Sequence, residues 1–456
     1  MIEIHMDNTE AKCYNLPQQI ANSLAIKLSF KTGGFGVPTE TKVMFDHVNH
    51  TTYTGLVPHV VKILHKLKLK YTIKDSRIQP ESNATFNLLP PFELRDYQEE
   101  IVNRSTSREL IQAATGAGKT FIMYSLIRKY GVKPVVVIAP KVSLAEQIKD
   151  EFEKFSGHKI GIVGGGHYDI QDITICTPMS APEELLKECK GIYYDECHNL
   201  PAANIFKTAV KAGNAFYKFG VSATPWRDGG DDLMIEAAIS IRKPHLSINA
   251  SKLIAKGKLT PCNIVFLPFK EVHEWGGSYH EIYKRAISHN ENRNNMISKL
   301  AYNLTYKKGR TTLILVSKIA HGDTLVKKIN LLQAPKKKTI NGIEISEVEF
   351  LSGRDDTERR TLVLQSVRDG FTKILIGSTI ADEGLDIPRL DALILAGSGK
   401  VSTRAFQRVG RVLRLYEGKK DALVFDILDE TKTFKKHSLT RKALYETEPL
   451  WNIRVI

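Results

Sequence analysis

The sequence predicts an α/β protein in which a small α+β domain precedes two tandem domains, each built on a parallel sheet. Two series of short apolar runs separated by helical stretches begin near Leu94 and near Thr312, and such runs are typical of parallel strands buried on both faces. A chain of 456 residues also exceeds the size of one ordinary core. We therefore expect domains at residues 1–90, 91–245 and 246–456, the last including a connecting segment.

The first 90 residues have no regular alternation of strands and helices. Short apolar runs are broken by Gly33-Gly34-Phe35-Gly36 and by Pro38, which predicts a small sheet with one helix near residues 58–65. From Lys62 to Lys70 charged residues alternate with apolar ones, and this pattern predicts a half-buried strand with a basic outer face. That face is either solvated or a ridge that contacts nucleic acid.

Composition narrows the classes of function. The chain has 65 Lys and Arg residues against 50 Asp and Glu residues, and its formal charge of +15 indicates either a polyanionic partner such as nucleic acid or simply a soluble surface. The five cysteines form no Cys-x-x-Cys pair, as expected of reduced intracellular thiols, so a zinc or iron–sulfur site is not expected. The sequence has neither a membrane-spanning run nor a signal pattern, and we expect a cytoplasmic protein without a membrane partner.

A phosphate-binding loop follows the first strand of the first series. Residues 113–120 read Ala-Ala-Thr-Gly-Ala-Gly-Lys-Thr, a P-loop pattern with alanine in place of the first glycine, set between a predicted strand and a predicted helix. In such a loop backbone N–H groups cradle phosphates, the lysine reaches the β- and γ-phosphates and the final hydroxyl holds Mg²⁺. We therefore expect ATP to be bound by Thr115, Gly116, Ala117, Gly118, Lys119 and Thr120.

Two adjacent carboxylates follow a later strand of the same series. Asp195 and Glu196 come directly after the apolar run 191–194, and the carboxyl end of a parallel strand is where open α/β sheets bind ligands. We expect Asp195 to hold Mg²⁺ together with Thr120, and Glu196 to orient and deprotonate the attacking water.

Three arginines recur near the end of the second series. Arg408, Arg411 and Arg414 are spaced by three residues, which places them on roughly one face of a helix. They either pair with carboxylates or supply the cations that a second domain brings to the γ-phosphate. Because Gly410 lets the backbone approach closely, we expect Arg411 and Arg414 to be catalytic, with Lys119 and the two carboxylates.

The ordered motifs, completed by Ser222-Ala223-Thr224 and by Gln407–Arg414, resemble those of superfamily 2 helicases from about Leu94 to Asp426. The resemblance implies two RecA-like domains that clamp ATP between them and bind a nucleic-acid strand across their tops. It implies that Ser222–Thr224 couple hydrolysis to strand movement. Nucleotide contacts are implied for Arg95, Gln98, Gly384, Asp386 and Gln407, and strand contacts for Lys141, Thr177, Pro178, Ser317, Lys318, Gly353, Arg354 and Thr379.

Finer features of the motifs favour DNA as the substrate. Asp195-Glu-Cys-His198 departs from the Asp-Glu-Ala-Asp of RNA-remodelling relatives. The segments around Arg95, Ser222 and Gln407 are more similar to those of phage recombination and repair helicases of the DEAH/DECH type, which remodel forked DNA and Holliday junctions. Such helicases carry an accessory domain ahead of the motor, so residues 1–90 are expected to bind DNA. The sequence gives no indication of protein partners.

We therefore expect an ATP-dependent DNA helicase that unwinds or branch-migrates forked and Holliday-junction DNA in replication, recombination or repair, and two other functions remain open. One is a translocase that moves on duplex DNA without separating its strands. The other is an ATP-gated clamp in which hydrolysis only resets the affinity for DNA. The complete Ser-Ala-Thr and Gln-x-x-Gly-Arg-x-x-Arg segments favour coupled movement over a clamp.

Overall fold

The computed structural model of the chain divides into two compact units, residues 1–248 and residues 249–456. The structure describes residues 1–32, 40–225, 231–239, 246–271, 277–378, 387–397 and 402–456. Both units carry a parallel sheet flanked by helices, which confirms the predicted α/β architecture. Within the described ranges, every helix is too short or too polar to span a bilayer.

The first unit begins with a mixed sheet of five strands in the order β5-β6-β2-β1-β7, in which only β1 and β7 run parallel. A separate hairpin pairs β3 with β4. The elements of this accessory block are β1 (Ile2–Met6), β2 (Glu10–Tyr14), α1 (Gln18–Lys27), β3 (Ser29–Thr32), β4 (Glu40–Val43), β5 (Phe45–Asp46), β6 (Thr51–Tyr53), α2 (Val57–Lys66) and β7 (Tyr71–Asp75).

The predicted strand from Lys62 to Lys70 is wrong. These residues form the second half of α2 and the turn that leads into β7, where Lys68 has a φ of +55°. The helix buries Val57, Val60 and Leu64, which are spaced by three and four residues and therefore share one helical face. Tertiary burial of that stripe outweighs the short alternating pattern that follows it.

The accessory block packs directly on the first parallel sheet, and one hydrophobic core runs through both. A Cβ added at Gly55 would lie 2.1 Å from the carbonyl oxygen of Glu236, so only glycine allows the backbone to approach this closely. Beside it, His59 Nε2 lies 2.6 Å from the Glu236 carboxylate. The accessory block is thus anchored to the helix that contains Glu236.

Eight strands form the first parallel sheet, in the order β11-β10-β12-β9-β13-β14-β8-β15, with β11 alone antiparallel to its neighbour. Apart from the segment Arg95–Gln98, which precedes β8, the predicted motifs lie on loops that leave the carboxyl edge of this sheet. The elements are α3 (Asp96–Arg104), β8 (Arg108–Ala113), α4 (Lys119–Tyr130), β9 (Val135–Ile138), α5 (Val142–Ser156), β10 (Gly161–Gly164), β11 (His167–Asp169), β12 (Ile173–Cys176), α6 (Glu183–Glu188), β13 (Gly191–Asp195), α7 (Ala203–Lys211), β14 (Tyr217–Ser222), α8 (Asp232–Ala238) and β15 (Leu246–Ile248).

Among the described residues of the second unit, seven parallel strands form one sheet in the order β20-β21-β17-β22-β23-β16-β24. Its strands β16 and β24 lie outside the runs predicted from sequence. The elements are α9 (Ala250–Ala255), β16 (Cys262–Phe269), α10 (Tyr279–Tyr283), α11 (Glu291–Tyr302), β17 (Thr312–Leu315), α12 (Ile319–Leu332), β18 (Lys337–Ile340), β19 (Ile343–Ser346), β20 (Val348–Leu351), α13 (Thr357–Arg368), β21 (Ile374–Gly377), β22 (Ala392–Leu395), α14 (Ser402–Val412), β23 (Ala422–Asp429), α15 (Lys432–Tyr445) and β24 (Trp451–Val455).

Candidate active site

The P-loop joins β8 to α4 and is shaped to bind an anion. Gly116 and Gly118 have φ values of +87° and +79°, a left-handed conformation that glycine adopts without a steric penalty. Gly118 is the N-cap of α4 and offers no capping side chain. The N–H groups of the first turn have no acceptor within the helix, and together with the helix dipole they form a binding site for phosphate.

Helix α3 holds this loop from behind. The Ala117 carbonyl accepts a hydrogen bond from Gln98 Nε2 at 2.9 Å and another from Tyr97 Oη at 3.2 Å. The side-chain oxygen of Gln98 accepts a hydrogen bond from the backbone N–H of Arg95 at 3.0 Å. A Cβ at Gly118 would lie 2.6 Å from Gln98 Nε2. In this structure Gln98 therefore fixes the P-loop, and its contact with adenine stays a prediction, as does that of Arg95.

The turn after β13 presents the two carboxylates. Asp195 is the last residue of the strand, and Glu196 follows in the left-handed region with a φ of +47°. The Glu196 carbonyl accepts from the Asn199 N–H at 2.9 Å, which closes the turn. A Cβ at Gly220 in β14 would lie 2.8 Å from the Cβ of Cys197. Glycine at this position thus lets the turn pack against the neighbouring strand.

The Glu196 carboxylate connects three of the sequence motifs. Its Oε1 forms an ion pair with Lys119 of the P-loop. Its Oε2 accepts a hydrogen bond from Ser222 Oγ at 3.1 Å and lies 3.3 Å from His198 Nδ1. Ser222 is fully buried and lies 3.0 Å from His198 Nδ1, and it also accepts from the Thr224 N–H at 3.2 Å. Phosphate loop, carboxylate turn and Ser-Ala-Thr segment therefore form one polar network.

His198 and Ser222 were not among the hydrolytic residues predicted from sequence. Ser222 ends β14, and β13 and β14 are neighbours in the sheet, so their carboxyl ends bring Ser222 beside Glu196. The order of strands cannot be read from the motifs. The position of His198, two residues after Glu196, was the one local signal for a contact between them. A tight turn folds a side chain at that position back towards the carboxylate.

Burial and neighbouring charges shift the pKa values of the site in opposite directions. Burial raises the pKa of Asp195 to about 6, against the opposing charge of Lys119. Burial also acts to raise the pKa of Glu196, but the Lys119 ammonium and the hydrogen bond from His198 outweigh burial and hold this pKa below its ordinary value. For Lys119, burial opposes the ammonium form, yet Glu196 and Asp195 raise its pKa. Glu196 and Lys119 are therefore both charged at neutral pH.

The residues predicted to hold Mg²⁺ fit a cation bound mainly through phosphate and water. Thr120 lies in the first turn of α4 and Asp195 at the end of β13, and both side chains are partly exposed. In the described part of the chain no group of three or more His, Cys, Asp and Glu side chains forms a metal cage. Mg²⁺ characteristically binds through one or two protein oxygens plus substrate phosphates, which matches this donor set.

The predicted strand-contacting residues of the first unit lie beside the ATP motifs. Lys141 is exposed after β9, and Thr177 and Pro178 follow β12, the next strand along the sheet. The Thr177 side chain is buried and its hydroxyl donates to Ser180 Oγ at 3.1 Å. Lys141 and the Pro178 ring are thus the more accessible groups on this edge.

Among the described residues of the second unit, the predicted strand contacts follow β17 and β20, which lie on either side of β21. Ser317 and Lys318 follow β17, while Gly353 and Arg354 follow β20. Arg354 pairs with Asp323 of α12 at 2.8 Å. Thr379, Gly384 and Asp386 lie outside the described residues, and their roles stay predictions.

The arginines of the second unit do not all share one helix. Gln407, Arg408 and Arg411 are half-buried on α14, but Arg414 lies two residues beyond its end, so the prediction of one helical face is wrong for Arg414. Lys419, which sequence reasoning missed, fixes the turn that contains Arg414. Its ammonium donates to the carbonyl oxygens of Pro388, Leu390 and Arg414 at 3.1, 2.7 and 2.8 Å, and thereby satisfies all three of its hydrogens.

A P-loop beside paired carboxylates, together with a second parallel-sheet unit that carries arginines, defines a nucleoside triphosphate hydrolase of the motor type. Two family models match the sequence. The model of the type III restriction enzyme res subunit matches residues 91–227, and the model of the helicase conserved C-terminal domain matches residues 293–416, together more than half of the chain. The chain belongs to the superfamily 2 helicases, which confirms the predictions of this superfamily and of an ATP-dependent helicase.

Similar proteins agree with this assignment. The DNA 3'-5' translocase XPB2 of Sulfurisphaera tokodaii is 27% identical over 81% of this chain and 89% of its own length. The ATP-dependent DNA helicase uvsW of Enterobacteria phage T4 is 28% identical over 75% of this chain and 69% of its own length. Among solved structures, S. cerevisiae Dbp5 bound to RNA and ADP BeF3 has a TM-score of 0.54 at 14% identity, covering 79% of this chain and 89% of that chain. This last likeness shows the fold alone.

Proposed function

We propose that the chain is an ATP- and Mg²⁺-dependent DNA motor that unwinds or branch-migrates forked and four-way DNA. The observation that carries the proposal is the Glu196 carboxylate, which contacts Lys119 of the P-loop and Ser222 of the Ser-Ala-Thr segment at once. Through Lys119, Glu196 is connected to the loop that binds the nucleotide. Through Ser222, it is connected to the segment that is expected to couple hydrolysis to strand movement.

The roles of the residues follow from their charges. Mg²⁺ held by Thr120 and Asp195 would neutralise phosphate charge when it is bound. Glu196 is charged in the free chain and therefore able to accept a proton from water. Because Lys119 pairs with Glu196, moving the ammonium to a phosphate would release the carboxylate for that task. Omission of Mg²⁺ should abolish hydrolysis, and undiminished turnover in excess EDTA would contradict the site.

DNA as the substrate is supported by charge and by the relatives. The chain carries a formal charge of +15, and the predicted strand-contacting residues follow β9 and β12 in the first sheet and β17 and β20 in the second. The two curated relatives described above are named as a DNA translocase and a DNA helicase. Fork and junction preference is proposed from the motif resemblance, and it is the part that needs direct measurement.

We further propose that the accessory block binds duplex DNA or the branch point through a surface on α2, the turn after it and β7. Residues 57–74 contain no Asp or Glu, and six of their side chains are exposed cations or histidine, namely Lys62, His65, Lys66, Lys68, Lys70 and Lys74. An exposed surface of one sign is suited to phosphate backbone contacts. This α2–β7 surface is the physical support for a DNA-binding role of residues 1–90.

Charge reversal tests the accessory surface. We expect Lys66→Glu/Lys70→Glu to weaken fork binding and to lower the slope of log K against log salt by about 1.8, since each lost contact with duplex phosphate removes about 0.9. The matched control is Lys27→Glu/Lys31→Glu. Lys27 ends α1, which packs on β5 at the edge of the five-stranded sheet opposite β7, and Lys31 lies on β3, the next element along the chain. Equal slopes for both variants would contradict the surface.

A second candidate function is translocation on duplex DNA without strand separation, which the name of the Sulfurisphaera relative favours. A triplex-displacement assay distinguishes the functions, because a translocase removes the third strand from a blunt duplex while leaving the duplex intact. Displacement of the third strand without separation of a fork would support the translocase. ATP-dependent binding without either activity would support the clamp.

A further inference from the structure

A second basic surface lies in the second unit, where α10 packs against α15. The ring of Tyr279 lies 5.8 Å from that of Phe434, and Tyr283 lies 5.9 Å from the same ring. After α10 the chain forms one π-helical turn, Lys284–Ser288, and such turns are frequent at functional sites. We call the exposed side of these helices the α10–α15 surface.

The α10–α15 surface belongs to the carboxyl edge of the second sheet. Strand β23 leads into α15 after only two residues, so the helix begins at that edge, and α10 packs on its first turn through Phe434. Lys318 and Arg354 leave the same edge from β17 and β20. The surface therefore lies on the face of the unit that also carries the predicted strand contacts.

The charge of this surface is not explained by helix stability. Lys432, Lys435 and Lys436 are exposed in the first turns of α15, where no acidic residue occurs. Cations at a helix N-terminus oppose the helix dipole, so these lysines weaken the helix that carries them. Of these three lysines, only Lys435 has an ion pair among the described residues, with Glu430 at 2.6 Å. Lys284 adds a further exposed ammonium from the π-helical turn.

An exposed aromatic side chain of α10 packs against the helix that carries three of these lysines. Tyr279 is 42% exposed, and its ring centre lies 5.8 Å from that of Phe434 and 6.3 Å from that of His437. A tyrosine ring that is fixed by packing and still partly exposed offers a platform on which an unpaired base can stack. Lysines beside an exposed aromatic ring are the combination that single-stranded nucleic acid recognises.

We propose that the α10–α15 surface is an additional binding site for a single DNA strand, with Lys284, Lys432 and Lys436 on its phosphates and Tyr279 stacked on a base. The assignment rests on the proposed function as a DNA motor. It adds a contact outside the helicase motifs, and so extends the length of strand that the second unit covers.

Charge reversal in the full chain tests the phosphate contacts. Binding of a fluorescent single strand is measured by anisotropy over a range of salt concentrations. We expect Lys432→Glu/Lys436→Glu to weaken binding roughly tenfold or more and to lower the salt slope by about 1.4, since each single-strand contact contributes about 0.7. The matched control is Lys299→Glu/Lys308→Glu, with the same change of charge at exposed positions before β17, on the amino edge.

Substitution of the tyrosine tests stacking separately from charge. Tyr279→Ala should weaken single-strand binding by roughly fivefold to a hundredfold, while Tyr279→Phe keeps the ring and most of the affinity. Thermal unfolding of each variant checks that the unit is folded, since Tyr279 also packs on Phe434. Binding of blunt duplex should change little in Tyr279→Ala.

Two results would overturn the α10–α15 surface: equal losses in the reversed pair and its control, or full affinity in Tyr279→Ala. Loss of duplex binding alone would also overturn it, because the surface would then not be a single-strand site. Failure of the proposed function is distinguishable, since wild-type chain would then neither bind DNA nor hydrolyse ATP faster in its presence.

Discussion

Replacing Ser222 with alanine should slow ATP hydrolysis as well as strand movement. The Ser222 hydroxyl donates to Glu196 Oε2 at 3.1 Å and accepts from the Thr224 N–H and His198 Nδ1. A hydroxyl has one donor and two acceptor positions, so this network uses all of them and places the hydrogen of His198 on Nδ1. Alanine removes the three contacts while leaving the Lys119–Glu196 ion pair in place.

The size of the effect follows from the bond to the carboxylate. A hydrogen bond to a charged group contributes about 1.5–3 kcal/mol, and about 1.4 kcal/mol corresponds to a factor of ten in rate. If that bond holds Glu196 in its hydrolytic orientation, kcat for ATP should fall roughly tenfold to a hundredfold. The KM for ATP should change little, because the P-loop and Lys119 are retained.

Steady-state ATPase at saturating DNA and strand separation should be measured on the same preparation. The control is Ser125→Ala, which removes another buried hydroxyl of the first unit, one that bonds the Phe121 carbonyl in its own helix. A purely coupling role predicts normal kcat with lost strand separation. A kcat for Ser222→Ala within about twofold of wild type would therefore refute the reasoning from the network.

Other variants probe the remaining roles. Lys119→Ala should abolish hydrolysis, and ordinary turnover would remove the P-loop assignment. Glu196→Gln should bind ATP while kcat falls at least about a hundredfold, so an unchanged kcat would remove its role as base. Arg411→Ala should keep nucleotide binding and lose roughly 10³-fold in kcat; a normal rate would place the cation elsewhere. Burial lowers the pKa of His321 from the ordinary 6.5 to about 3, and the positive charge of Arg293 lowers it further in the same direction. At a pH between these two pKa values, the unfolded chain therefore binds a proton on His321 that the native chain does not. Thermal unfolding from pH 6.5 downwards should show stability falling by up to about 1.4 kcal/mol per pH unit, less steeply in His321→Gln.

The nucleotide-binding loop was predictable because its signal is local. The P-loop depends on a strand, a glycine-rich turn and a helix in direct succession, and the structure places β8, Gly116, Gly118 and α4 in that order. The paired carboxylates after β13 are local in the same sense. Their chemistry could be inferred without knowledge of any neighbouring strand.

The rest depends on tertiary contacts that short patterns do not encode. The link from Glu196 to Ser222 requires β13 and β14 to be adjacent, and Gln98 reaches Ala117 only because α3 packs behind the P-loop. The prediction of a strand from Lys62 to Lys70 failed because apolar residues at Ile63, Leu64, Leu67 and Leu69 are compatible with both a strand and the end of a helix.

We propose that ATP hydrolysis drives the remodelling of branched DNA, and a comparison of five nucleic-acid substrates tests this proposal. ATPase rate and strand separation are followed on single-stranded DNA, blunt duplex, a fork, a four-way junction and duplex RNA, with Glu196→Gln as the hydrolysis-deficient control. We expect ATP-dependent strand separation only on the fork and the four-way junction, and none with the Glu196→Gln variant. Duplex-stimulated ATPase without separation on any substrate, or a preference for RNA, would contradict it.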